Sequence, residues 1–245
     1  MNLALLTTDT LHHCRFLDVL AEFCPPVFVL AERGAPQPDF DTHHRFEDDR
    51  VEYERNLWFG GEDARLRDRG PVYEVRSVND PDAVERLVAA APEIVVVFGT
   101  GRLQQQVIDV CSRAIVNLHG GDPEHYRGLD THLWAIHNGD FAGLVTTLHR
   151  VNEHLDDGDI VAEAPVPISG GMGLHELRAC TTDVCVELVR SALRTYLEEG
   201  RFESRPQRQR GRYYSFMPAA LKDVCVKKFA DHTAELPAVA AGQVQ

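Results

Sequence analysis

Two runs of aliphatic, mostly β-branched residues constrain this chain most: Ile94-Val95-Val96-Val97 and the stretch opening Ala114-Ile115-Val116. Neither alternates apolar with polar residues, so each reads as a central strand buried on both faces. Such strands need helices over both faces, and the surrounding pattern supplies them. Strands are expected at residues 2–7, 27–31, 72–75, 94–97 and 114–118. Helices are expected at about 10–23, 45–57, 80–90, 103–110, 131–137 and 174–197. Residues 144–151 and 160–166 alternate, as strands near a partly exposed sheet edge do. The implied fold class is α/β: a doubly wound, mostly parallel, Rossmann-like sheet with right-handed crossovers. Residues 1–200 form the main domain, 201–232 a short C-terminal extension packed on it, and 233–245 an expected disordered tail, small and nearly uncharged.

The second run ends on polar residues. Asn117 and His119 are two apart, so on a strand both side chains leave the same face at its carboxyl end. Ligands of doubly wound sheets bind at that end. Asp156 comes back later in the turn Asp156-Asp157-Gly158. An amide, an imidazole and a carboxylate suit acyl transfer: the first two hold an oxyanion, and the third tunes the imidazole and moves protons. Taken singly, each has a plainer reading, a hydrogen-bonded core histidine or a bare acidic turn. Gly99-Thr100-Gly101-Arg102 lacks the third glycine and the distal acid of a dinucleotide fingerprint. A tight strand-to-helix turn needs glycine there whatever binds.

Taken together, Asn117-x-His119, Tyr126-Arg127-Gly128, Trp134-Ala135-Ile136, Gly143-x-x-Thr146 and Leu155-Asp156-x-Gly158-Asp159 resemble the folate-dependent formyltransferases. That family includes glycinamide ribonucleotide transformylase, methionyl-tRNA formyltransferase and the sugar N-formyltransferases. The specific likeness covers residues 95–168, and a looser one residues 1–200. It implies N10-formyltetrahydrofolate as co-substrate, no metal, and Asn117, His119 and Asp156 as the catalytic trio. Asp157 falls at the variable position. The resemblance sets the folate against Gly99, Gly101, Arg102 and Leu103, and against Val151, Asn152 and His154, held mostly by backbone groups. Gly120, Gly121, Tyr126, Arg127, Arg212 and Tyr213 are the candidates for contacts to a small amine acceptor. One departure stands out. Gly121-Asp122-Pro123-Glu124 replaces the family's usual Ser-Leu-Leu-Pro: the loop length is kept but its side chains are not, which puts the acceptor contacts inferred there in doubt.

Composition narrows the partners. A net charge of −13 argues against nucleic acid. No apolar run reaches the ~20 residues of a membrane span. The N-terminus lacks the basic region of a signal peptide, and six scattered cysteines form no C-x-x-C pair, so a cytoplasmic location is expected. A homodimer is compatible with the chain. The histidines show no zinc-helix spacing. Residues 201–217 gather five arginines beside Tyr213, Tyr214 and Phe216. They read either as a solvated linker leading into a strand or as an anion site. Phosphate could also dock at the first helix, at Thr8 to Thr10. Thr7-Thr8-Asp9-Thr10 stands where glycinamide ribonucleotide transformylase has its Gly-Ser-Asn phosphate loop. Methionyl-tRNA formyltransferase carries a basic C-terminal barrel, whereas this chain has only about 45 residues after the long helix and is strongly acidic as a whole. A nucleotide-linked amino sugar is therefore the expected acceptor, ahead of an amino acid or hydroxylamine of secondary metabolism, or water in a formyltetrahydrofolate hydrolase.

Overall fold

The computed structural model describes residues 2–34, 38–111 and 114–237. Five parallel strands, β1 (Leu3–Thr8), β2 (Phe28–Glu32), β3 (Val72–Val75), β4 (Ile94–Phe98) and β5 (Ile115–His119), are joined by α1 (Leu11–Phe23), α2 (Arg45–Phe59), α3 (Pro81–Ala90) and α4 (Gln105–Ile108). After β6 (Tyr126–Gly128) and α5 (Thr131–Asn138) come β7 (Val145–Arg150) and β8 (Ile160–Pro165). They extend the sheet antiparallel to an order of β3-β2-β1-β4-β5-β7-β8. Every residue of β4 is buried, which accounts for its unbroken apolar run. The direction of strand order reverses between β1 and β4, and this switch point opens a crevice at their carboxyl ends.

The long helix α6 (Leu177–Glu199) follows a 3-10 turn and packs on α1 over the main core. A second apolar cluster joins α5, the start of α6 and a helix absent from the sequence reading, α7 (Ala219–Ala234). It is built on Leu133, Ile136, Leu174, Met217 and Phe229. Three expectations change here. The helix expected at 103–110 shrinks to four residues. Asn79 accepts from the Gln104 amide at 2.7 Å and donates to the Arg102 carbonyl at 3.0 Å, which keeps that segment out of the helix. The expected disordered tail begins too early. Thr233 is buried in α7 and donates to the Met172 carbonyl at 3.0 Å, and the Pro237 carbonyl accepts from Gly170. Residues 238–245 lie outside the described residues. Third, the 201–217 stretch is no free linker. Its β9 (Arg212–Tyr214) pairs in parallel with β6. Gly128 makes this possible: its φ is +95°, and a Cβ there would run into the Tyr214 carbonyl. Tyr214 stacks between Tyr126 and Trp134, which locks the register.

Candidate active site

The carboxyl ends of β1, β2, β4 and β5 open into a cavity of about 680 Å³. Asn117, His119 and Asp156 all line it. Strand alternation puts Asn117 and His119 on one face, as expected. The antiparallel partner β7 adds His149 opposite Asn117, which the sequence reading missed. His149 Nδ1 lies 2.7 Å from the Arg150 carbonyl, so that nitrogen donates and Nε2 is left to accept from Asn117 Nδ2 at 3.1 Å. His119 Nε2 is 2.8 Å from the Tyr126 carbonyl and must be the N–H. Its Nδ1 is then the nitrogen turned to chemistry, 3.7 Å from Asp156 Oδ1. His149 Nε2 lies 3.6 Å from the same oxygen. Asp156 is thus ringed by two imidazoles.

Asp156 sits at φ 50°, in the left-handed region that aspartate tolerates better than most residues. The turn is held from several sides. Gly128 N donates to Asp156 Oδ2 at 2.8 Å, and Arg127 donates from Nε to the Leu155 carbonyl at 3.0 Å. Gln207 Nε2 reaches the carbonyls of Asp156 at 3.0 Å and Gly158 at 2.9 Å. Gly158 is required because a Cβ there would collide with the Arg150 carbonyl. Burial alone would raise the Asp156 pKa. The nearby His119 and His149 imidazoles and the Gly128 amide outweigh it and hold the carboxyl well below the usual range. This carboxylate stays ionised at neutral pH and presents a fixed negative charge to both imidazoles.

The residues expected to meet the folate also converge. Gly99, Gly101, Arg102, Leu103, Val151, Asn152 and His154 line the same cavity. Arg102 Nη2 donates to the Glu153 carbonyl and so ties the two loops together. Glu32, unanticipated, ends the buried strand β2 and accepts from Gly101 N at 2.7 Å and Val78 N at 3.1 Å. A buried acid that closes an otherwise apolar strand was the available signal. Replacing Glu32 with Gln removes one acceptor oxygen and the charge from this clamp. The KM for the folate donor that the sequence resemblance implies should rise about five- to tenfold, on the order of 1–1.5 kcal/mol. Steady-state titration of the donor checks this, and an unchanged KM would remove Glu32 from the turn's support.

The expected acceptor contacts divide. Gly120 and Tyr213 line the cavity, while Gly121, Tyr126, Arg127 and Arg212 do not. Gly121 is buried beside Thr147, Tyr126 bonds Asp140 at 2.9 Å, and Arg127 holds the Asp156 turn. Arg212 lies over the Tyr214 ring at 5.2 Å. The other arginines of the stretch are largely engaged. Arg205 pairs with Glu124 and Glu163, and Arg210 with Asp157. The departing segment at 121–124 explains part of this. Its Glu124 is bound by Arg205 and by the Arg208 amide, which hold its carboxyl below the ordinary range. The basic stretch therefore serves to clamp the site's loops. Among the described residues, no group of three or more His, Cys, Asp or Glu side chains could hold a metal, and no helix could cross a membrane.

Several known proteins are similar to this chain in sequence or in fold. The methionyl-tRNA formyltransferase of Akkermansia muciniphila is 34% identical over 126 residues, 49% of this chain and 40% of that protein. The matched stretch thus spans about two fifths of that relative. Two solved structures share the fold. A sugar N-formyltransferase from a Shewanella species has TM-score 0.62 at 15% identity and covers 94% of this chain and 88% of its own. The formyltransferase PseJ of Anoxybacillus kamchatkensis, solved with a UDP-linked formamido sugar and tetrahydrofolate, has TM-score 0.54 at 15% identity and covers 87% and 86%. The family described as Formyl transferase matches residues 19–193, well over half the chain and all of the Asn117, His119 and Asp156 cluster, and this protein belongs to it.

Proposed function

We propose that this protein is a folate-dependent N-formyltransferase. It moves a formyl group from N10-formyltetrahydrofolate to the primary amine of a nucleotide-linked amino sugar. The observation that carries the reading is the convergence of Asn117, His119 and Asp156 on one cavity beside the 99–103 turn. A neutral amine attacks the formyl carbon and gives a tetrahedral oxyanion. Asn117 donates to that oxygen from the Nδ2 hydrogen not given to His149, and His119 from Nδ1 when protonated. One such donor lowers a barrier by about 2.7–4 kcal/mol. Asp156 takes the amine proton and passes it toward N10 of the leaving tetrahydrofolate, in company with His119 and His149. No covalent enzyme intermediate is needed.

The acceptor reading draws on the structural neighbours, which match nearly end to end, and on the aromatic side chains Tyr213 and Phe216 at the cavity. The acidic chain, −13 overall, disfavours a tRNA acceptor although the sequence relatives act on one. A thermal-shift screen tests the reading. Tetrahydrofolate should raise the melting temperature, and UDP- or dTDP-linked amino sugars should raise it further in its presence. Stabilisation by amino acids or hydroxylamines, with none by sugar nucleotides, would replace this acceptor class.

A further inference from the structure

One wall of the cavity, contributed by α2 and the start of α6, carries two arginines, Arg50 and Arg178. Both come from helices distant in sequence, and neither is fully spent. Glu54, itself wholly buried, takes Nε and Nη2 of Arg178 at 2.6 Å each, which leaves Nη1 with no hydrogen-bond partner among the described residues. Arg50 is matched more loosely. Its nearest carboxylate, Glu47, is 3.7 Å away and already committed to Lys222 at 3.0 Å and the His44 amide at 3.0 Å. Arg50 Nε is buried with no hydrogen-bond partner among the described residues, and its guanidinium lies over the Phe46 ring.

The other polar groups on this wall add little negative charge. Asp130 accepts from the Met217 amide at 2.8 Å, and burial raises its pKa toward the neutral form. His12 and His13 are held neutral, chiefly by burial and then by positive neighbours that include Arg178. Burial and the like charge of Arg178 bring even Arg50 down to about 10. Arg50, Arg178 and Lys222 share two carboxylates, Glu47 and Glu54, which leaves this wall net positive. A buried donor left unsatisfied is costly, and the molecule keeps one here, on a side chain that lines the cavity.

We propose that Arg50 and Arg178 form an oxyanion subsite that grips a phosphate of the acceptor while its amine lies at Asn117 and His119. This deepens, and rests on, the reading of the protein as a formyltransferase with a nucleotide-linked acceptor. It moves the anion contact from the C-terminal arginines, where the sequence suggested it, to the interior wall. The carboxylates of the folate's glutamate are the other source of the same chemistry.

Inorganic pyrophosphate separates these possibilities. Isothermal titration should show it binding the wild-type chain, about tenfold or more weaker to Arg50→Gln, and intermediate to Arg50→Lys, which keeps the charge but loses the fork. In steady-state assays it should compete with the amino-sugar nucleotide and not with N10-formyltetrahydrofolate. Arg178→Gln would strand Glu54, so Arg50 carries the test. Pyrophosphate that binds Arg50→Gln as it binds wild type overturns the subsite. Competition with the folate alone overturns its assignment to the acceptor. If pyrophosphate binding depends on Arg50 but no sugar nucleotide is formylated, the subsite stands and the acceptor reading fails.

Discussion

Replacing Asp156 with Asn should lower kcat by about a hundred- to ten-thousandfold, the span of general acid–base catalysis. Asn tolerates the left-handed backbone at φ 50° and can still accept from Gly128 N, so the turn should survive. What it loses is the ability to take a proton and to face His119 and His149 as an anion. Asp157→Asn should stay within a few-fold of wild type, because the Asp157 carboxylate faces Arg210, at 3.4 Å, and the residue does not line the cavity. Single-turnover rates at saturating donor separate the two variants. Equal losses would place the proton acceptor elsewhere in the turn.

The second large effect is on stability against acid. His13 is buried against the Gly99 turn with its pKa lowered to about 3, and His132, bonded to the Val145 carbonyl, to about 4. Burial is the main cause for both, and it lowers His12 as well. In the unfolded chain these rings titrate near 6.5. Between the two values the unfolded state binds the proton and the folded state refuses it. The stability is therefore complete above about pH 6.5 and lost as pH falls toward 4. Two to three such histidines remove about 2.5–4 kcal/mol between pH 7 and 5.5. Asp130, with its raised pKa, offsets a little of this nearer pH 4, and Asp156 adds to the loss only below its unfolded value of 3.8. Urea midpoints across this range should fall steeply, and His13→Gln should flatten the slope. A flat profile would mean the rings are protonated in the folded state.

The frame of this molecule was legible because burial wrote it plainly. β4 and β5 are covered on both faces, so their apolar runs stand out, and the polar residues that end β5 stand out against them. Asn117 and His119 could be paired by strand alternation alone. Their partner His149 could not, because it depends on the register of β7 against β5, which local sequence does not encode. The helix α7 was hidden for another reason. Its buried stripe is Lys222, Cys225, Phe229 and Thr233, with one large apolar side chain among four, and Lys222 is buried only because Glu47 and the Thr42 carbonyl satisfy it. β6 and β9 are three residues long and exist only as a pair. The arginines were misjudged on clustering. Those close together in the chain are mostly used up on neighbouring carboxylates and an aromatic ring, whereas Arg50 and Arg178 are far apart in sequence and are brought to one wall only when α2 packs against the 3-10 turn that precedes α6.

The most direct test of the central claim is formyl transfer itself, followed as tetrahydrofolate released from N10-formyltetrahydrofolate and as formamido sugar formed from a UDP- or dTDP-linked amino sugar. The account predicts that wild type forms the two products one for one, and that Asn117→Ala and His119→Ala each fall by at least about a hundredfold while their melting temperatures with tetrahydrofolate stay close to wild type. Transfer that persists undiminished in both variants would contradict it, because the oxyanion would then be held by other groups.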